Sequence, residues 1–309
     1  MLSVPQKKLL KHSKEITDWL EGKPCRPIMY EIHLTNFCSA DCPWCFYSGK
    51  HDGRRIDINF LMSALHMSVD FANALSWTGG GEPTLHPEFD QIVAETNILG
   101  YKQGLFTNGV VKAAQPEFFS WVRLSMTDQY FDALPEDTVR WYSEATKTGV
   151  CLNLTKDNAP MADDICKTAK EYGANYFQVR PALERHWYEQ KNIELWTDLV
   201  GKYDDENFKV YVTDYKFAGA CEPKPYSNCY GGRFCTTIDY DGNVRWCNYF
   251  LEDDSHIIGN IYKEDIIYIL DRMPKYICVD DEHQTKCKHD ECNKVLADLA
   301  EGIEDVDFL

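Results

Sequence analysis

The chain has 309 residues, enough for one large folded body and a small extension, because single cores stop growing at roughly 250 to 300 residues. Its 44% hydrophobic and 13% aromatic content is that of a folded globular protein and excludes an intrinsically disordered one. The formal net charge of -17 repels phosphate backbones, which weighs against duplex nucleic acid and favours a small-molecule or short peptide partner.

Residues 1–25 carry Lys7, Lys8, Lys11 and Lys14 without an apolar stretch of signal-peptide type, and read as an N-terminal helical arm. No later stretch approaches 18 apolar residues, so no membrane span and a cytoplasmic location are expected. Apolar runs bounded by turns then predict six buried strands: Ile28–Leu34, Ala74–Trp77, Gln103–Phe106, Trp121–Ser125, Val150–Leu154 and Tyr176–Val179. Between them Ile58–Phe71, Glu88–Leu99, Pro135–Lys147 and Met161–Tyr172 have helical spacing. This alternation implies βαβ units around a parallel sheet, as a partial barrel or a doubly wound sheet, with chemistry at the C-terminal strand ends.

Beyond Asp214 the composition shifts to cysteine, glycine and aromatic residues. A hairpin is predicted over Thr236–Trp246, turning at Asp241-Gly242, with helices at Glu264–Arg272 and Val295–Gly302. The expected organisation is an arm over 1–25, a barrel over 26–215 and a small cysteine-rich α+β domain over 216–309. No separate peptide-recognition domain is expected ahead of the barrel.

Thirteen cysteines in a chain without a signal peptide argue for metal ligands or free thiols. Three of them fall within Cys38–Cys45, in a Cys-x3-Cys-x2-Cys loop directly after the first strand. Three thiolates on one short loop can hold three irons of a [4Fe–4S] cluster and leave the fourth open to a ligand. Seven cysteines lie beyond residue 220, among them Cys229, Cys235, Cys247, Cys287 and Cys292. A hairpin between cysteines followed by a later pair suggests one metal site closed over a small domain. Cys25, Cys151 and Cys166 stand alone and are expected to pack as small hydrophobic residues.

The segment Cys38-Ser39-Ala40-Asp41-Cys42-Pro43-Trp44-Cys45 resembles the signature of the radical S-adenosylmethionine superfamily, Cys-x3-Cys-x-aromatic-Cys, without departure. Gly79-Gly80-Gly81-Glu82-Pro83, after the second strand, is similar to that family's Gly-Gly-Glu-Pro motif, where glycines let the backbone approach the cofactor's amino group. The resemblance implies an α/β fold: a partial (βα)6 TIM-like barrel with a small C-terminal iron–sulfur domain. It also implies S-adenosylmethionine bound to the open iron of a [4Fe–4S] cluster on Cys38, Cys42 and Cys45. One electron from the cluster would split the cofactor, and the 5′-deoxyadenosyl radical would take hydrogen from a substrate. Trp44, Gly79, Gly80, Gly81, Glu82, Asn108, Ser125, Asn153 and Arg180 are the expected cofactor-binding residues.

The later cysteines resemble the twitch extension, the shorter relative of the SPASM domain, through Cys229, Gly242, Cys247 and the run Gly259-Asn260-Ile261. This implies one auxiliary [4Fe–4S] cluster on Cys229, Cys247, Cys287 and Cys292. The spacing Cys287-x4-Cys292 departs from the expected tighter pair, and Cys235 is an alternate ligand. Two clusters, or one zinc ion, are the alternatives at this stage. A reductant such as flavodoxin or ferredoxin is the implied protein partner. For the reaction, oxidation, epimerisation or crosslinking of a small molecule or peptide leads, and rearrangement of a nucleoside or nucleotide is the second reading. A protein that only transfers electrons or binds zinc would not bind S-adenosylmethionine.

Overall fold

The computed structural model describes residues 5–24, 26–42, 45, 47, 51–126, 135–155, 157–182, 198–213, 217, 223–280, 287 and 290–302. Trp44, Cys25 and the expected boundary at residue 215 lie outside these residues.

All six expected strands form, as β1 Met29–His33, β2 Ala74–Thr78, β3 Lys102–Thr107, β4 Phe119–Met126, β5 Thr148–Leu154 and β6 Tyr176–Pro181. Each pairs in parallel with the next. β1, β2 and β5 are buried along most of their length, as parallel strands covered on both faces are, whereas β4 alternates buried with partly exposed positions. A seventh strand, β7 Lys209–Val212, pairs in parallel with β6 and extends the count beyond the six expected. Its four residues, Lys-Val-Tyr-Val, are too short for a pattern and were passed over.

The helices α3 Ile58–Ser68, α4 Phe89–Ile98, α5 Glu136–Ser143 and α6 Ala162–Glu171 follow strands β1, β2, β4 and β5. Their apolar faces close one continuous core around residues such as Leu61, Leu65, Ile92, Tyr142 and Ile165. Cys166 is buried in it, and burial pushes its thiol up to about 12, the environment of a packing cysteine. Cys151 is likewise buried, as expected.

The cysteine-rich region is continuous with the barrel sheet. After the short β8 Asn228–Cys229, strand β9 Cys235–Ile238 pairs in parallel with β1, Met29 opposite Cys235. Strands β10 Asn243–Arg245 and β11 Ile257–Asn260 follow antiparallel, giving the order β11-β10-β9-β1-β2-β3-β4-β5-β6-β7. The β9–β10 hairpin turns where expected, with Gly242 at φ 76°, a backbone that side chains other than glycine rarely adopt. Beneath it Arg245 Nε donates to Asp239 Oδ2 at 2.5 Å, a pair buried to 4% and 2% exposure.

The first helices pack against the last one. Helices α1 Pro5–Leu9 and α2 Ser13–Leu20 form a second apolar cluster with the last helix, here after α7 Ile266–Asp271 numbered α8 Asp290–Glu301. Trp19 centres it, edge-on to Tyr230 at 5.2 Å and Phe234 at 5.5 Å.

Candidate functional site

The loop after β1 is a closed excursion. Ile56 donates its N–H to Leu34 O at 2.9 Å and Asn36 to Arg54 O at 3.0 Å, so the chain leaves and returns along one seam. His51 Nδ1 lies 2.7 Å from Asn36 O, and Asn36 Nδ2 donates to Asp52. Within the excursion Cys45 donates its N–H to Cys42 O at 2.9 Å, a turn that draws the last two cysteines together. Cys38 Sγ accepts the N–H of Ala40 at 3.4 Å and lies 3.9 Å from Asn108 Nδ2, which also donates to Ser39 Oγ at 3.1 Å. Burial pushes the Cys38 and Cys45 thiols up, and the surrounding N–H groups oppose it.

The glycine turn after β2 presses directly on this loop. Glu82 donates its N–H to Phe37 O at 2.8 Å, and a Cβ on Gly81 would come 2.1 Å from that oxygen. Gly80 is equally constrained from the other side, since its Cβ would lie 2.6 Å from the Tyr240 ring of the C-terminal hairpin. The Glu82 carboxylate turns inward: Oε1 accepts Thr84 Oγ1 and Thr107 Oγ1, both at 2.7 Å, and Thr84 N at 3.2 Å, while Oε2 accepts Asn108 N at 2.7 Å. Complete burial pushes this carboxyl up, and the four donors pull it back. Glu82 thus ties the ends of β2 and β3 together at the edge of the site.

These parts enclose one cavity of about 250 Å³ at the C-terminal strand ends. Its wall includes Cys38, Cys42, Cys45, Gly79, Gly80, Gly81, Glu82, Asn108, Ser125, Asn153 and Arg180, so every expected cofactor residue among the described ones meets in one place. Thr155, directly after β5, exchanges hydrogen bonds with Asn158 at 2.8 and 3.1 Å, within the turn leading to α6. Sequence reasoning missed Tyr47, His51, Asn248 and Tyr249, which also line the cavity. Tyr47 OH donates to Asn248 O at 2.6 Å, joining the cysteine loop to the C-terminal region. Asn248 and Tyr249 directly follow Cys247, and that adjacency was the available signal.

The later cysteines sit beside this wall. Burial pushes the Cys247 thiol up, and neighbouring Cys229 and Cys287 push it further, so these three thiols share a neighbourhood. Cys229 accepts from Trp246 Nε1 at 3.4 Å, Cys247 from Tyr249 N at 3.5 Å and Cys287 from Tyr226 OH at 3.7 Å. Cys292 lies in the first turn of α8, partly buried against the second apolar cluster. Cys235 opens β9 and Cys278, in β12 Ile277–Cys278, is exposed.

Among the described residues no three side chains of His, Cys, Asp or Glu are grouped as ligands of a single metal ion. The donor sets fit iron–sulfur clusters instead. Each is made of cysteine thiols, with N–H or O–H donors on the sulfurs of Cys38, Cys229, Cys247 and Cys287. The first set has three thiols and opens onto the cavity, which leaves one iron for a ligand there.

The iron–sulfur cluster-binding SPASM family matches residues 229–294. The chain is 26% identical over 278 residues to mycofactocin maturase MftC of Mycolicibacterium smegmatis, across 77% of this chain and 68% of that protein. It is 31% identical over 100 residues to the S-adenosylmethionine-dependent nucleotide dehydratase of Selenomonas ruminantium, across 29% of this chain and 34% of that protein, about a third of its length. The fold matches Streptococcus suis SuiB bound to precursor peptide SuiA at a TM-score of 0.66, with 17% identity, over 97% of this chain and 76% of that one. These likenesses agree with the resemblance to the radical S-adenosylmethionine superfamily carried by the cysteine loop and the Gly79–Pro83 turn, with an iron–sulfur cluster-binding SPASM match at residues 229–294. SuiB has also been solved bound to S-adenosylmethionine, matched here at a TM-score of 0.67 with 16% identity over 97% of this chain and 78% of that one. No described helix is long and apolar enough to cross a membrane.

Proposed function

We propose that this protein is an oxygen-sensitive enzyme that reductively cleaves S-adenosylmethionine and abstracts hydrogen from a peptide or small molecule, leading to oxidation, epimerisation or crosslinking. The observation that carries this reading is the single cavity in which the three-cysteine loop, the Gly79–Glu82 turn and the polar ends of β3 to β6 face one another.

Cys38, Cys42 and Cys45 would hold the cluster, which would supply the one-electron reduction that splits S-adenosylmethionine and so the radical chemistry for hydrogen abstraction. The chain's own part is placement. The Gly79–Gly81 backbone offers carbonyls to the methionine ammonium, with Glu82 holding the turn from within. Ser125 and Asn153 supply hydrogen bonds to ribose, and Arg180 at the end of β6 offers a fixed cation to a carboxylate. Asn108 spans from the cavity wall to Cys38 and Ser39 and steadies the first cysteine. Trp44, between Cys42 and Cys45, belongs to the same motif. The surrounding wall limits water at the reacting centre.

Cys229, Cys247, Cys287 and Cys292, with Cys235 as alternate, hold the auxiliary cluster in this proposal, and a flavodoxin- or ferredoxin-type protein delivers the electron. The maturase similarity over 77% of the chain, and a fold shared with a protein seen with its precursor peptide, favour a peptide substrate. The dehydratase similarity, over 29% of the chain, supports a nucleotide as the second reading.

Substrate-dependent release of 5′-deoxyadenosine separates the two. The reduced, cluster-loaded protein is incubated with S-adenosylmethionine and either a peptide library or nucleotides. Stimulation by peptides is expected, and stimulation by nucleotides alone contradicts the leading reading.

A further inference from the structure

The auxiliary thiols differ in what meets their sulfur. Cys229 ends β8, and the chain turns at once through Gly231 and Gly232, whose N–H groups both point back at Cys229. From the end of β10, Trp246 brings its indole Nε1 to 3.4 Å from the same sulfur. An indole N–H only donates, so the direction of this bond is fixed. The ring is 1% exposed and lies so close to the turn that a Cβ on Gly232 would come 2.5 Å from Trp246 Cδ2. Glycine at 232 is what allows the indole to reach the sulfur. Cys287, by contrast, meets the hydroxyl of Tyr226, whose one proton is also directed at Asp290 Oδ1 at 2.8 Å.

We infer that Trp246 sets the reduction potential of the auxiliary centre by holding a buried N–H on the Cys229 sulfur. A reduced iron–sulfur cluster carries one more negative charge, shared with its thiolates. An N–H dipole aimed at a thiolate in a dry surrounding therefore stabilises the reduced state more than the oxidised one and raises the potential. Trp246 is a positioning residue: it acts through Cys229 and makes the centre a better electron acceptor. The inference rests on the proposed assignment of Cys229 as a cluster ligand.

The test is a redox titration followed by electron paramagnetic resonance on the full chain, reconstituted anaerobically, with iron and sulfide counted in each sample. Trp246→Phe keeps a flat apolar ring and removes the donor. Expected is unchanged iron and a roughly tenfold lower ratio of reduced to oxidised auxiliary centre at the wild-type midpoint, about 59 mV for one electron. The potential of the cluster on Cys38, Cys42 and Cys45 stays in place, and Trp246→His, which restores a ring N–H, recovers part of the shift. Equal auxiliary potentials at full iron content overturn the inference and leave the cluster assignment standing. A wild-type protein with a single cluster overturns the assignment and the inference with it. Should Trp246→Phe fail to load, the wild type labelled with 15N in its tryptophan indoles reads the same contact by electron–nuclear double resonance. A 15N coupling to the reduced auxiliary centre supports the inference, and its absence overturns it.

Discussion

Glu82 donates its backbone N–H to the carbonyl oxygen of Phe37 at 2.8 Å, across a gap that only a glycine at 81 leaves open. This bond joins the end of β2 to the cysteine loop after β1, so the two motifs recognised separately in the sequence are one piece of structure. A methyl group at 81 would sit 2.1 Å from Phe37 O and 2.6 Å from Asn36 C, backbone atoms with nothing flexible to yield. Overpacking of this kind costs about 1–3 kcal/mol. Gly81→Ala is therefore expected to weaken S-adenosylmethionine binding by roughly 10- to 100-fold, measured by equilibrium dialysis of the cluster-loaded protein. Unchanged affinity would show that the two loops need not touch.

The inward-facing carboxylate of Glu82 makes a second prediction. Its neighbours Thr84 N and Asn108 N can only donate, one to each oxygen. In Glu82→Gln the amide NH2 must face one of them, which leaves a buried donor opposed and costs roughly 1–3 kcal/mol in unfolding free energy. The pH dependence also changes. Because burial raises the folded pKa above the ordinary value of 4.5, the carboxyl's contribution is complete below that value and is lost as pH rises through the folded one. Urea unfolding between acid and neutral pH should show this slope in the wild type and not in the variant, and parallel curves would contradict it.

The pair Asp239–Arg245 anchors the hairpin that covers the edge of β1. Asp239 also accepts N–H groups from Asp241 and Asn243 at 2.9 Å, and Arg245 Nη1 donates to Phe250 O and Asp253 O at 3.2 and 3.1 Å. Replacing one partner strands a buried charge, so Asp239→Ala should lower stability by about 3–5 kcal/mol. A shift in the denaturation midpoint below that of an exposed pair such as Arg140–Glu136 would contradict this account of the hairpin.

The two cysteine neighbourhoods should separate chemically. Cys247→Ala removes a thiol from the auxiliary set while Cys38, Cys42 and Cys45 line the cavity as before. The expected result is a loss of about four irons per chain with cleavage of S-adenosylmethionine retained. Loss of all iron would mean that the two sets do not load independently.

Much of this was legible in the sequence for identifiable reasons. Largely buried strands such as β2 and β5 leave mostly apolar runs bounded by turns, so the six strands stood out, and the cysteine loop is a spacing that depends on no distant partner. What could not be read depends on long-range pairing. Nothing local in Cys235–Ile238 indicates that it lies along β1, about 200 positions earlier. Lys209–Val212 is too short to carry a period. The sequence reads Glu82 as a cofactor-binding residue, and its inward hydrogen bonds to Thr84, Thr107 and Asn108 are visible only in the fold. Tyr249 stands two positions after Cys247 in the sequence, but its place on the wall of the first cavity follows only from the fold.

The central claim is tested most directly by anaerobic reconstitution, reduction with dithionite and addition of S-adenosylmethionine to the wild type and to Cys42→Ala. About eight irons per chain and 5′-deoxyadenosine formed by the wild type but not by Cys42→Ala is the predicted result. A protein that forms no 5′-deoxyadenosine, or forms it equally without Cys42, would contradict the account.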